Sequence, residues 1–126
     1  MESDFLCPKC RSYLNIGTKI IFSIKLDSNK LGLLLLEKDL GNYEVKKQEQ
    51  IKYEEGDLVG FFCPICHENL VSEVHSNLAK IIMLDNDRQE FDIYFSRISG
   101  EHVTFKVKDN EIEAFGPDKE KYYKLF

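Results

Sequence analysis

The sequence predicts a mostly β protein made of two similar halves joined by one metal site, and three observations carry that expectation. The chain's four cysteines form two Cys-Pro-x-Cys turns, Cys7-Pro8-Lys9-Cys10 and Cys63-Pro64-Ile65-Cys66. After each turn, apolar and polar residues alternate with the period of a strand that has one buried face. No stretch of helical periodicity runs longer than the eight residues Lys119 to Phe126.

The cysteine spacing is chemically informative. Two intervening residues let a tight turn aim both sulfurs at one ion while backbone N–H groups point at the thiolates. Proline in the second position stiffens that turn through its fixed φ. Two such knuckles supply a complete tetrahedron, with metal–sulfur bonds near about 2.3 Å and no open position. Cys7, Cys10, Cys63 and Cys66 are therefore the expected ligands of one structural zinc ion per chain. The resulting charge of about −2 calls for nearby donors or cations, and Lys9 and Arg11 flank the first turn. Iron accepts the same ligands. A working dithiol would want a strand–motif–helix context that neither pair has. Cys63-Pro64-Ile65-Cys66-His67 also fits the attachment pattern of a c-type haem, but that leaves Cys7 and Cys10 without a role. Disulfides are disfavoured because no apolar run follows the acidic start Met1-Glu2-Ser3-Asp4 as a signal peptide would require. The expected location is cytoplasmic.

The elements follow in order. From Leu14 to Asp27, Ile20, Phe22, Ile24 and Leu26 share one face and Lys19, Ser23 and Lys25 the other, with Ile21 as the exception. Asp27-Ser28-Asn29-Lys30 has turn chemistry, and Leu31 to Glu37 is a second strand. Asp39-Leu40-Gly41-Asn42 turns into a third strand at Tyr43, Val45 and Lys47, which polar Gln48-Glu49-Gln50 ends. After Glu54-Glu55-Gly56-Asp57, Leu58 to Phe62 leads straight into the second knuckle. The second half repeats the plan with strands at Leu78 to Leu84, Phe91 to Phe95 and Val103 to Val107, and an edge strand from Ile112 to Phe115. Gly116-Pro117 stops the sheet. Asp118 is an expected N-cap for a short C-terminal helix over Lys119 to Phe126.

The halves align as an internal duplication. Cys7, Cys10 and Leu14 match Cys63, Cys66 and Leu70. With two residues inserted, Ile24 to Lys30 matches Ile82 to Arg88, and Leu33 and Leu35 fall on Phe91 and Ile93. Further on, Gly41 falls near Gly100. At 126 residues the chain fits one domain, 1–126, with halves 1–62 and 63–126.

Composition narrows the function classes. Hydrophobic residues make up 43%, which is a globular rather than a disordered composition. Net charge is −5; the first half carries ten acids and nine bases, the second twelve acids and eight bases. That balance counts against a general nucleic-acid binder, although Lys46, Lys47 and Lys52 could form a local basic patch. No apolar run is long enough to span a membrane. His67 is expected to lie outside the ligand set, and His75 and His102 to lie on the surface. Asp85, Asp87, Glu90 and Asp92 lack the glycine and ligand spacing of a calcium loop and read as a hairpin turn. The tail Tyr122 to Phe126 is expected to pack on its own domain. No phosphate loop, nucleophile elbow or zinc-protease motif is present, so the chain is not expected to be an enzyme.

The two knuckles, with Phe61 and Phe62 leading into the second, resemble the zinc-ribbon and rubredoxin-like class. In that class two Cys-x-x-Cys turns on β-hairpins share one metal. The glycine that commonly follows the second cysteine is here Arg11 and His67, and the chain lacks the tryptophan usual in rubredoxins. The resemblance implies a structural zinc in a module that works by binding something else. The expected role is protein–protein interaction. The alternatives are a zinc ribbon attached to transcription or translation machinery, and a rubredoxin-like iron or dithiol redox module.

Overall fold

The computed structural model describes residues 3–126, so Met1 and Glu2 lie outside it. It contains ten strands: β1 Asp4–Leu6, β2 Asn15–Ile16, β3 Lys19–Lys25, β4 Leu31–Glu37, β5 Val45–Lys47, β6 Gly60–Phe62, β7 Leu78–Leu84, β8 Glu90–Ser96, β9 Thr104–Lys108 and β10 Glu111–Phe115. They form two antiparallel sheets. One runs β1-β7-β8-β9-β10; the other runs β2-β3-β4-β5, with β6 also paired to β3.

The alternation read from the sequence positions the longest strands. In β3, Ile20, Phe22 and Ile24 are buried. Their partners in β4 are Leu36, Leu34 and Gly32, so one face of the hairpin is apolar. At Gly32 a Cβ would lie 2.5 Å from Ile51, so this glycine makes room for a buried isoleucine from the loop after β5. In the second sheet, Ala79, Ile81 and Met83 of β7 and Ile93 and Phe95 of β8 face the same core. Phe22 and Phe61 of one sheet and Phe95 of the other meet there, with ring centroids 5.1–5.4 Å apart.

Two strands are exchanged between the repeats once the second repeat is counted from β6, the counterpart of β1, and not from the second knuckle. β1, which the sequence reading did not identify, leaves the first half and pairs with β7 of the second, Phe5 opposite Met83. β6, which opens the second repeat as β1 opens the first, pairs with β3 of the first repeat, Phe61 opposite Ile24. The correspondence is residue by residue. Adding 56 carries Phe5, Cys7, Arg11 and Leu14 onto Phe61, Cys63, His67 and Leu70. Adding 59 carries Ile24, Asn29, Leu34 and Gly41 onto Met83, Arg88, Ile93 and Gly100. The backbone bonds repeat on those offsets: Leu14 N–H to Phe5 C=O recurs as Leu70 to Phe61, and Asn29 to Leu26 recurs as Arg88 to Asp85. Asn29 and Arg88 both take positive φ, as do Gly41 and Gly100.

This register corrects the sequence alignment by one residue. Three residues, not two, are inserted in the second half, in the loop between Ser72 and Leu78 that replaces the tight Gly17-Thr18 turn. The alignment followed the chemical similarity of Leu26-Asp27 to Leu84-Asp85. A one-residue slip, however, turns every side chain to the opposite face: Leu34 and Ile93, not Leu33 and Phe91, are equivalent, and both are buried.

The C-terminal segment also differs from expectation. In place of a helix, the chain forms two 3₁₀ turns, Lys119–Lys121 and Tyr123–Leu125. Asp118 makes no cap bond; its carboxylate accepts the His102 backbone N–H at 2.8 Å. The aromatic side chains account for this geometry. Phe126 packs on Tyr94 and Phe105, and Tyr122 is buried against the outer face of the β7–β10 sheet, so docking overrides helical propensity. Glu101 anchors the tail, accepting bonds from Ser96 at 2.7 Å, Tyr122 at 2.6 Å and Lys121 at 3.2 Å.

Because Phe22 contributes to a core shared by both sheets, Phe22→Ala should lower unfolding free energy by about 3–5 kcal/mol. Far- and near-ultraviolet dichroism should still report one coincident transition. Burial pushes the Glu101 pKa up, but the three hydrogen bonds outweigh it and hold the carboxyl below its ordinary range. Its contribution is thus complete above the ordinary glutamate pKa of about 4.3 and is lost as pH falls through the lower folded value. Glu101→Gln should cost about 1–2 kcal/mol at pH 7. The deficit should shrink on acidification, as denaturant titrations at several pH values would show.

Candidate metal centre

Each knuckle starts where a crossing strand ends. β1 delivers Cys7 and β6 delivers Cys63, both fully buried; Cys10 is exposed and Cys66 half-buried at the far sides of the turns. The turns are built alike. Arg11 N–H donates to the Cys7 carbonyl at 2.9 Å and His67 N–H to that of Cys63 at 3.0 Å. Cys7 N–H closes the hairpin on Ser12 at 3.0 Å and Cys63 N–H on Glu68 at 3.0 Å. Backbone donors aim at the sulfurs as the spacing predicts: Lys9 N–H lies 3.3 Å from Cys7 Sγ and Ile65 N–H 3.3 Å from Cys63 Sγ.

The four sulfurs lie within 4.8 Å of one another. The close pairs link opposite halves, Cys7 to Cys66 at 3.7 Å and Cys10 to Cys63 at 3.8 Å. Neither distance is near the ~2.0 Å of a disulfide. A regular tetrahedron with metal–sulfur bonds of about 2.3 Å has edges of about 3.8 Å, so the cluster matches a metal-binding set in size as well as chemistry. Without a cation the thiols differ in acidity. Burial pushes Cys7 up to about 12, whereas hydrogen bonds involving Ser12 pull the exposed Cys10 down to about 6.

Arg11 and His67 adopt φ of 62° and 67°. This is the left-handed conformation for which glycine is favoured. Arg11 also forms an ion pair with Glu90 on β8, tying the first knuckle to the second half's sheet. His67 is not in the cluster.

The remaining sequence candidates take other roles. Asp85 Oδ1 accepts the Asp87 and Gln89 N–H groups at 2.9 and 2.8 Å, so the acidic cluster serves as turn chemistry. His75 and His102 are half-buried and not free on the surface, because each ring packs on a tyrosine: His75 on Tyr122 and His102 on Tyr43 at 4.7 Å. Strand alternation places Lys46 and Lys47 on opposite faces of β5, where Lys47 lies over the Tyr53 ring. A cavity of about 130 Å³ opens between the sheets, bordered by Leu40, Tyr43, Tyr53 and His102, and none of the cysteines lines it. No helix among the described residues is long and apolar enough to cross a membrane.

The chain matches no protein-family model, and comparisons with curated proteins and with solved structures find no match.

Substitution at His67 separates backbone demand from ligation. His67→Gly should retain full metal content and change stability by no more than about 1 kcal/mol. His67→Val places a β-branched residue at positive φ and should cost about 1–2 kcal/mol. Elemental analysis and thermal melts on both variants check this.

Proposed function

We infer that this chain is a zinc-stapled, non-enzymatic β protein that acts by binding another protein. The observation that carries the reading is the interleaving of sulfurs from both halves at zinc-tetrahedron spacing. Four thiolates fill the coordination sphere, so a bound zinc would hold the two knuckles together and leave no position for a water nucleophile or a substrate. The site is of the zinc-ribbon kind, two Cys-Pro-x-Cys knuckles on β-hairpins.

The shared core and the crossing of β1 and β6 support treating residues 1–126 as one domain. The repeated register supports an origin by duplication of one knuckle-plus-meander unit. Reduced, clustered thiols fit a cytoplasmic location. The separation of Lys46 from Lys47 and the acidic second half weigh against a nucleic-acid role.

Metal-binding free energy in such sites is coupled to folding and amounts to about 10–16 kcal/mol at neutral pH. Native mass spectrometry of protein purified without added metal should give one zinc per chain, and a chelator should remove zinc and folded structure together. Cys63→Ser should reproduce that loss. A visible absorption band with one iron per chain would replace the staple with a redox centre. Metal-free protein with unchanged folding would overturn the reading.

A further inference from the structure

The repeat provides an internal control for the surface. Equivalent strands present different outer faces in the two halves, and the difference marks an interface. On the β7–β10 sheet, the outward positions Lys80, Glu90 and Asp92 are polar and the apolar outward residues are buried, Leu78, Tyr94 and Phe105 with the tail and Ile82 and Leu84 beside Leu6 of β1. Adding 59 does not reproduce that arrangement: Ser23 and Lys25 stand where the buried Ile82 and Leu84 do, whereas Ile21, Leu31 and Leu33 stand where Lys80, Glu90 and Asp92 do and no tail covers them.

The registers place these residues on one surface. Ile21 faces Leu35, Ser23 faces Leu33, and Lys25 faces Leu31 across β3 and β4. Phe62 joins from β6 beside Ser23, and Ile16 joins from β2 beside Lys19. Ile16, Leu31 and Leu33 are 70%, 66% and 47% exposed. A contiguous patch of this kind, in contrast to scattered apolar residues, marks a binding surface. Lysines border it. Lys25 and Lys30 lie at the β3–β4 turn and Lys46 lies beside Leu35 on β5; none of the three has an acidic partner among the described residues.

We propose that the outer face of the β2–β5 sheet binds a protein segment bearing apolar side chains flanked by carboxylates. The proposal rests on the interaction reading above and names its surface. Charge decides the occupant. A second copy of the chain would bring the same lysines face to face, which is unfavourable in a twofold interface. An anionic bilayer would be repelled by the molecule's net charge of −5. A short acidic, apolar segment meets both the leucines and the lysines and engages only this patch.

Fluorescence anisotropy with a labelled synthetic peptide alternating leucine and glutamate tests this, with the lysine-for-glutamate peptide as control. The acidic peptide should bind at least about tenfold more tightly, and added salt should weaken it. Leu31→Glu/Leu33→Asp, which copies the residues at the equivalent positions of the second half, should abolish binding while metal content and melting temperature hold. Lys25→Glu/Lys46→Glu should remove the preference for the acidic peptide. Absence of binding, equal binding of both peptides, or binding unchanged in these variants would overturn the assignment. So would dimerisation in sedimentation velocity, or adsorption to phosphatidylserine vesicles, that the leucine variants eliminate. A partner that binds the leucine variant undiminished would place the interaction elsewhere and leave the interaction reading standing. Failure of the zinc staple would show separately, in metal content.

Discussion

Four sulfurs held within 4.8 Å of one another constrain everything else in this molecule. Thiolates at that separation repel unless a cation lies among them, and the chain must bring two turns 56 residues apart to the same place. Each turn therefore sits at the end of a strand that pairs into the other repeat, the second repeat being counted from β6. β1 pairs with β7, and β6 pairs with β3. The cluster is formed by both repeats, and separating the repeats would break two strand pairings, a common core and the ligand set together. The shared core and the sulfur cluster thus have one structural cause.

The crossing also accounts for the strained residues. Arg11 and His67 reverse the chain directly after the outer cysteine so that it can return to its own sheet, where Leu14 and Leu70 are fully buried. Positive φ at a residue with a side chain costs about 1–2 kcal/mol, which closing the knuckle offsets. In the first knuckle the same residue supplies a guanidinium that contacts Glu90 on β8.

Near-symmetry makes the asymmetries informative. Where the second half continues into β10 and a docked tail, the first half turns away after β5, sends Ile51 under Gly32 and proceeds to β6. One outer face is consequently sealed by Tyr122 and Phe126, and the other keeps its leucines in solvent. Solubility alone would favour the polar pattern seen at Lys80, Glu90 and Asp92 on both faces. The two sheets thus present chemically different outer surfaces on similar frameworks.

Local pattern by itself determined which cysteines cluster, the longer strands and much of the core. The Cys-Pro-x-Cys spacing identifies the four cysteines because a knuckle is a short-range object. The alternation of Ile20, Phe22 and Ile24 identifies a buried face because strand periodicity is equally local. Three features needed the tertiary structure. β1 is only three residues long and becomes a strand by pairing with β7, a partner far along the chain. The repeat register depends on which side of a sheet each residue faces, and the similarity of Leu26-Asp27 to Leu84-Asp85 points one residue away from it. The tail has the composition of a helix, yet Tyr122 and Phe126 reach their aromatic partners through two 3₁₀ turns. In each case long-range packing chose among conformations that local sequence permits, since side-chain burial outweighs the small differences in local propensity.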